Sequence, residues 1–420
     1  MPARNTILDN ITHSIAGLLA AQAAIELRRA WGKAQGDAAN EIRFARTAYW
    51  VSALANNLPD IDFVYSQITR PRTLGYLMHH RGHTHTLCVA AVMVASLLLA
   101  FRGAARRYGP KLLQLDWRWL WGLGLLGPML HMAMDFTNNY GVHPFWPLYN
   151  GWLYGDSVFI IEPLYLLTGL PLLFFAMRHR LARIVFALLT VALLALVWWV
   201  SFIPTSVSVG LSLFTILASF AAARLPAGRR VAIGASVFAA IPVVFSLART
   251  QAEPVVRAAL PPGAKVVDIV LTPSPSNPLC WSTWAAYVSG DDYVADSGRL
   301  TLAPTLFAPS DCEGPFHAGP TTADLQPLDT APSTQIRFSR RYQAPLSELR
   351  SLQASNCYAA AYLRYSRLPF WKTEGDRTIL GDLRYDRSEA IDFAELVLPK
   401  THDCPQFVPN WVPPREDLWR

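Results

Sequence analysis

Apolar runs of about 16 to 21 residues recur through the first part of the chain, close to the length an α-helix needs to cross a hydrocarbon core of roughly 30 Å. They predict spanning helices near residues 11–27, 44–58, 86–101, 117–135, 157–177, 184–203, 207–223 and 231–248. The second is short and only moderately apolar. From about residue 250 the pattern changes. "GAKVVDIVLTPSP", "WSTWAAYVSGDDYVAD" and "TQIRFSRRYQ" are β-branched and aromatic runs separated by Gly, Pro and Asp, the pattern of short strands. The expected fold is an α-helical polytopic membrane bundle of about eight helices, residues 1–250, followed by a small β-rich or α+β soluble domain, residues 251–420.

Composition supports this division. Hydrophobic residues make up 52% of the 420 residues and charged ones 16%, against about 25% charged in soluble domains. The net charge of +7 does not point to nucleic acid, because the basic residues fall in clusters between the apolar runs, where topology explains them. One loop holds Arg28, Arg29, Lys33, Arg43 and Arg46; another holds Arg102, Arg106, Arg107, Lys111 and Arg118; "RHRLAR" and "RLPAGRR" follow, whereas residues 137–157 contain neither Lys nor Arg. Every second loop is basic, which places both termini outside the cytoplasm. Residues 59–85 dissent, with Arg70, Arg72 and Arg81 on the outer side. The first apolar segment lacks a strongly charged leader and carries His13, so it is expected to remain as a helix rather than be cleaved. Cys280, Cys312, Cys357 and Cys404 lie in the tail and Cys88 in a membrane run. An exported tail with four cysteines permits two disulfides, in three possible pairings.

Once orientation is assigned, the unusual polar residues gather at the outer end of the bundle. His13 opens the first segment, and Asp60 and Asp62 follow the second. His79, His80, Arg81, His83, Thr84 and His85 precede the third, and His131 and Asp135 close the fourth. His143, Asp156 and Glu162 come next. Ionisable groups are costly in lipid and persist mainly where they line a cavity or serve function. The pairs His79/His83, Arg81/His85 and His131/Asp135 are each four apart and would share a face if helical. Imidazole and carboxylate without thiolate suit Zn²⁺, with Mn²⁺ the alternative, in one or two ions. The bland alternatives are an interfacial His13, solvated acids after a helix, and an adventitious surface histidine cluster.

The motifs "DNITHSIAG", "NLPDID", "HHRGHTHT" and "HMAMDFTNNYGVHPFWP" followed by "DSVFIIEP" resemble the YdjM-type, bacterial inner-membrane-bound metal-dependent hydrolases. The resemblance covers roughly residues 5–165. It implies functional roles for His13, Asp60, Asp62, His80, Arg81, Thr84, His85, His131, Asp135 and Asp156; His83 departs from the family's usual apolar residue, and Thr86 stands for its usual serine. The tail looks like the extra domain of longer members. The order of His and Asp along the helices is also similar to that of zinc-dependent phospholipase C.

Together these imply a hydrolase of the bacterial inner membrane, with its C-terminal domain extracytoplasmic, cleaving a phosphoester or lipid-linked substrate with metal-activated water. The metal ligands would be His13, Asp60, His80, His85, His131 and Asp135, with Asp62 as base and Arg81 on oxyanion charge. Thr84, His79, His83, His143, Asp156 and Glu162 would contact ligands or substrate. The expected partner is a membrane lipid or lipid-linked substrate; the sequence sets no oligomeric state. A transporter or metal-handling protein, and a scaffold with a structural metal, are the competing expectations.

Overall fold

The computed structural model describes residues 3–32, 37–312, 314, 321–328, 333–401 and 403–419; Lys33 lies outside them. The helical part comprises α1 (Ala3–Ala30), α2 (Ala38–Asn57), the short α3 (Asp62–Tyr65) and α4 (Arg72–His79), then α5 (Leu87–Tyr108), α6 (Trp117–Phe136), α7 (Pro163–Ala176), α8 (Arg180–Trp199), α9 (Thr205–Arg224) and α10 (Ala227–Ala258). Each of the eight predicted segments coincides with one of the longer helices. Four of them, α5, α8, α9 and α10, are long and apolar enough to cross a membrane. The chain is a membrane protein with a helical N-terminal region. His13 does not open its helix: α1 begins at Ala3, so His13 sits inside it.

Close approach of three helices builds the frame of the polar centre. At Gly17 of α1 a Cβ would meet the Ser52 carbonyl oxygen of α2 at 2.7 Å, and at Gly127 of α6 it would meet Ala55 and Asn56 of α2 at 2.8 Å. Only glycine lets these backbones touch. Gly127 lies one helical turn before His131, so this contact carries the His131 ring to the end of α2.

The C-terminal domain is α+β. Strands β1 (Lys265–Ser274), β2 (Asn277–Ser289), β3 (Asp292–Thr301), β4 (Gln326–Pro327) and β5 (Ile336–Pro345) form an antiparallel sheet of order β1-β2-β3-β5-β4. Helices α11 (Leu346–Ser355) and α12 (Cys357–Tyr362) precede a smaller sheet of β6 (Pro369–Glu374), β7 (Arg377–Asp382) and β8 (Glu395–Val397). Of the three possible disulfide pairings, the structure has Cys280–Cys312 and Cys357–Cys404. Cys88 is free and exposed.

The domain is packed onto the bundle rather than tethered to it. One hydrophobic core joins Leu74, Leu77 and Met78 of α4, with Tyr140 and Trp152, to Tyr362, Tyr365, Phe370 and Trp411. A second joins Ala252 and Val256 of α10 to Ile269, Leu271 and Trp281 of the large sheet. Burial of side chains this size stabilises by roughly 1.5–3 kcal/mol each.

Glu395 of β8 gives this domain a pH dependence. Its Oε2 accepts hydrogen bonds from Thr322 Oγ1 (3.0 Å) and the Asp392 amide (3.1 Å). Burial nonetheless pushes its carboxyl up to about 7, and the neighbouring Asp386 adds to the rise. Between the unfolded value of 4.5 and about 7 the folded state keeps a proton that the unfolded state has released. Stability from this group is therefore complete below pH 4.5 and lost as pH rises through 7. Thermal unfolding of wild type and Glu395→Gln between about pH 5 and 8 should show the variant gaining on wild type as pH rises. A constant difference would refute this assignment.

Candidate metal centre

Local sequence breaks place the donors. Pro59 cannot continue α2, and a single 3-10 turn, Pro59–Ile61, follows it and turns Asp60 and Asp62 inward. The run "HHRGHTHT" is not one helix. α4 stops at His79, His80 is extended, Arg81 has φ 56°, and a 3-10 turn, His83–His85, leads to Thr86, whose side chain caps α5 at the Val89 amide. The expected i,i+4 pairing of His79 with His83 and of Arg81 with His85 therefore fails, because the left-handed Arg81 and Gly82 interrupt the helix. His131 and Asp135 do share a helical face of α6.

Four donor atoms converge. His85 Nε2 lies 3.4 Å from Asp60 Oδ1, 3.3 Å from Asp135 Oδ2 and 3.1 Å from His131 Nε2. His131 Nε2 lies 3.5 Å from Asp60 Oδ1 and 3.3 Å from Asp135 Oδ2. Ligands about 2.0–2.1 Å from a tetrahedral zinc stand about 3.3 Å apart, so these five separations have the edge length of such a site. The tautomers agree. His131 Nδ1 donates to the Asn56 carbonyl (2.6 Å), and His85 Nδ1 faces Asp62 Oδ2 (3.3 Å); each Nε2 lone pair is thereby turned to the centre. Two lone pairs facing one another at 3.1 Å, beside an Asp135 Oδ2 with no hydrogen-bond donor among the described residues, fit a bound cation. His13 stacks on His131 at 3.8 Å and brings its Nε2 to 3.4 Å from Asp135 Oδ1.

A second group adjoins the first. Asp60, Asp62 and His80 offer ligand atoms within 4.8 Å of one another, and Asp60 belongs to both groups. His80 Nδ1 lies 3.2 Å from Asp62 Oδ1. Burial alone would raise both carboxyls. The imidazoles of His131 and His85 beside Asp60, and of His80 and His85 beside Asp62, outweigh it and hold both well below the usual range.

Arg81 is fixed from every side. Its Nη2 meets Asp135 Oδ1 at 2.8 Å, its Nη1 donates to Asn138 Oδ1 (2.8 Å) and the Asp135 carbonyl (3.2 Å), and its amide donates to Asp62 Oδ2 (2.9 Å). His80 and Arg81 border a cavity of about 650 Å³. Its far wall is apolar, formed by Leu193, Leu196 and Val197 of α8 with Val200, Phe202 and Ile203. A larger apolar cavity of about 830 Å³ between α1, α6 and α10 contains none of the donors.

Residues 8–207 match the model of the YdjM inner membrane protein family. The resemblance carried by the sequence motifs is thus borne out, and the YdjM-type region ends before the C-terminal domain. Neither the curated proteins nor the solved structures yield a match.

Within this YdjM-type region, the structure brings His13, Asp60, Asp62, His80, Arg81, His85, His131 and Asp135 together. The other sequence-predicted residues lie around them. Thr84 Oγ1 is 3.5 Å from Asp62 Oδ2, and His79 Nε2 contacts Thr69 Oγ1 at 2.9 Å. His83 lies between Trp146 and Trp411. His143 Nδ1 donates to the Arg81 carbonyl (3.2 Å) and its ring stacks on Trp411, burial pushing its imidazole down to about 3. Asp156 is bound bidentately by Arg367, and Glu162 caps α7 at the Leu164 amide and accepts from the Ser276 amide (both 3.0 Å). Sequence reasoning missed Asn56, whose contribution is a backbone carbonyl, and Trp411 and Arg367 of the C-terminal domain. A single sequence carries no signal for contacts so distant along the chain.

Proposed function

We propose that the protein is a metal-dependent hydrolase that cleaves a phosphoester on a membrane lipid or lipid-linked substrate, at the outer face of the inner membrane. One observation carries this: His80 joins the three-donor group, which leaves coordination positions open, to a cavity walled by apolar residues of α8. Bound to these donors, a divalent ion, zinc in first place and manganese second, would supply Lewis acidity and a water of lowered pKa.

The chain's own residues do the rest. Asp60 is shared by both groups; Asp62 orients His80 and His85 and holds the Arg81 backbone. Arg81 presents a guanidinium held by Asp135 and Asn138, so it need not reorganise as phosphoryl charge develops. The α8 wall takes the apolar chain and keeps water from it. The group around His85 and His131, with protein donors at five spacings of 3.1–3.5 Å, suits a structural ion; a scaffold holding that ion alone is the second reading.

Metal analysis with hydrolysis assays on phospholipids and lipid-linked phosphates decides between them. The hydrolase should lose turnover on chelation and regain it with zinc or manganese. Tightly bound metal with no phosphoester cleaved would leave the scaffold. Arg81→Lys should keep its metal yet lose turnover by about 10²–10³-fold, because a point charge cannot replace a bidentate fork; unchanged turnover would remove Arg81 from the chemistry.

An eight-crossing topology with both termini outside belongs to the same proposal. The buried Arg81–Asp135 pair supports it, since it makes Arg81 an internal charge rather than a topological signal. Alkaline phosphatase fused after residue 420 should be active and green fluorescent protein fused there dark; the reverse would overturn the topology.

A further inference from the structure

The spanning helix α5 is short for its task. From Leu87 to Phe101 it carries no charged residue, and its basic end begins at Arg102. That apolar length rises about 22 Å, against a hydrocarbon core of roughly 30 Å. The bilayer must thin there unless apolar surface beyond Leu87 makes up the difference. Another part of the chain supplies such surface. The Leu87 amide donates to the Pro144 carbonyl (3.0 Å), which hangs the turn "PFWPLY" on the first residue of the span. In that turn Phe145 and Tyr149 are each 51% exposed and Leu148 is 94% exposed, and residues 137–157 hold neither Lys nor Arg. α3 lies at the same level, because its Asp62 Oδ2 stands 3.3 Å from His85 Nδ1, two residues before Leu87. Asp62 faces the donors, while Ile61, Phe63 and Val64 around it are exposed.

We propose that the Phe145–Tyr149 turn and α3 insert into the interfacial layer of the bilayer at the N-terminal end of α5, and so fix the metal centre at the lipid surface. The partner is the bilayer itself, entered through apolar side chains rather than through headgroup charge. Aromatic side chains in a turn that lacks Lys and Arg have the composition of an interfacial anchor, and clustered exposed apolar side chains mark membrane contact. They also continue the lipid-facing side of α5, where Leu87 and Val92 are exposed. The turn is tied to the centre as well. His143, just before it, donates from Nδ1 to the Arg81 carbonyl (3.2 Å), and Trp146 within it packs against His83. Insertion of the exposed side chains therefore holds Arg81 and the donors at the depth of the headgroups. This goes beyond the hydrolase reading and does not rest on it, since a structural ion would be held at the same depth.

Site-directed fluorescence tests the insertion directly. Full-length protein in which Cys88→Ser has removed the free thiol would carry an environment-sensitive probe at Leu148→Cys or, separately, at Val64→Cys, in nanodiscs of phosphatidylcholine. Both positions are exposed, so neither substitution disturbs packing. Each probe should emit to the blue of its value in water, lose most of that emission to a lipid nitroxide near the headgroup end of the acyl chain, and resist aqueous iodide. Replacing part of the lipid by phosphatidylglycerol should change none of these readings. A probe at either position that iodide quenches and nitroxide lipid does not overturns the proposal. So does nitroxide quenching that appears only with the anionic lipid, which would make the contact a headgroup site. The readout is depth rather than turnover, so a failure to find hydrolysis leaves it untouched.

Discussion

His131→Ala and His85→Ala should each release the ion of the four-donor group, lowering bound metal and abolishing its protection against unfolding. Each imidazole would supply one ligand to the ion, and each is backed by an acceptor, Asn56 O or Asp62 Oδ2, that fixes its tautomer. Removing either imidazole would take away one of the neutral nitrogen donors that lie 3.3–3.5 Å from Asp60 and Asp135, and with it a ligand of the ion. His83→Ala is the internal control, because His83 contacts Trp146 and Trp411 and none of the donors. His80→Ala distinguishes the second group: loss of one metal equivalent makes His80 a ligand there. Full metal with lost turnover would make His80 and Asp62 the proton-accepting pair, the role the sequence suggests for Asp62. Mass spectrometry of the native protein, read for metal stoichiometry, checks all four variants. Equal metal content in the His85, His131 and His83 variants would reduce the cluster to a solvated histidine patch.

Much of this centre is legible in the sequence because its parts are local. "NLPDID" announces a helix end followed by acids, and "HMAMD" places His131 and Asp135 on one helical face. Topology then gathers the motifs at one end. The sequence misleads where periodicity is assumed across "HHRGHTHT", since neither the left-handed Arg81 nor the break at Gly82 shows in residue spacing. Arg70 and Arg72 are exposed and remain a topological dissent, whereas Arg81 is explained by its pairing with Asp135. The tail's docking is illegible for a different reason. Its contacts, such as Trp411 Nε1 donating to the Met78 carbonyl (2.8 Å), join residues hundreds of positions apart and leave no local pattern. Asp156 and Glu162 look like site residues because they are acids at the right end of the bundle; their partners, Arg367 and Ser276, show that they hold the two parts of the molecule together.

Arg367→Ala is the second large effect, expected to destabilise the protein by about 3 kcal/mol, the lower end of the usual cost of breaking a buried ion pair, because Asp268 keeps Arg415 at 3.4 Å and Asp156 keeps Arg249 at 4.0 Å. The Arg367 guanidinium donates from Nη1 and Nη2 to the two Asp156 oxygens at 2.8 Å each, and from Nε and Nη2 to Asp268 at 2.7 and 3.0 Å. Asp156 belongs to the loop before α7 and Asp268 to β1, so one side chain ties the bundle to both parts of the extra domain. Tyr154 covers its face at 4.2 Å, which excludes water and raises the cost of an empty site. Arg367→Lys should fall between wild type and alanine, since it keeps the charge and loses the fork. The exposed pair Arg350–Asp291 is the comparison; its removal should shift stability by no more than about 1 kcal/mol. Denaturant unfolding of the full chain in detergent measures all three. Undocking should also carry Tyr385 and Phe393, which border the cavity beside His80, away from it, so the arginine-to-alanine variant should lose ligand affinity while keeping its metal. A variant as stable as wild type would mean that the hydrophobic core around Leu74, Leu77 and Trp411 holds the domain by itself, with the ion-pair cluster setting only its register.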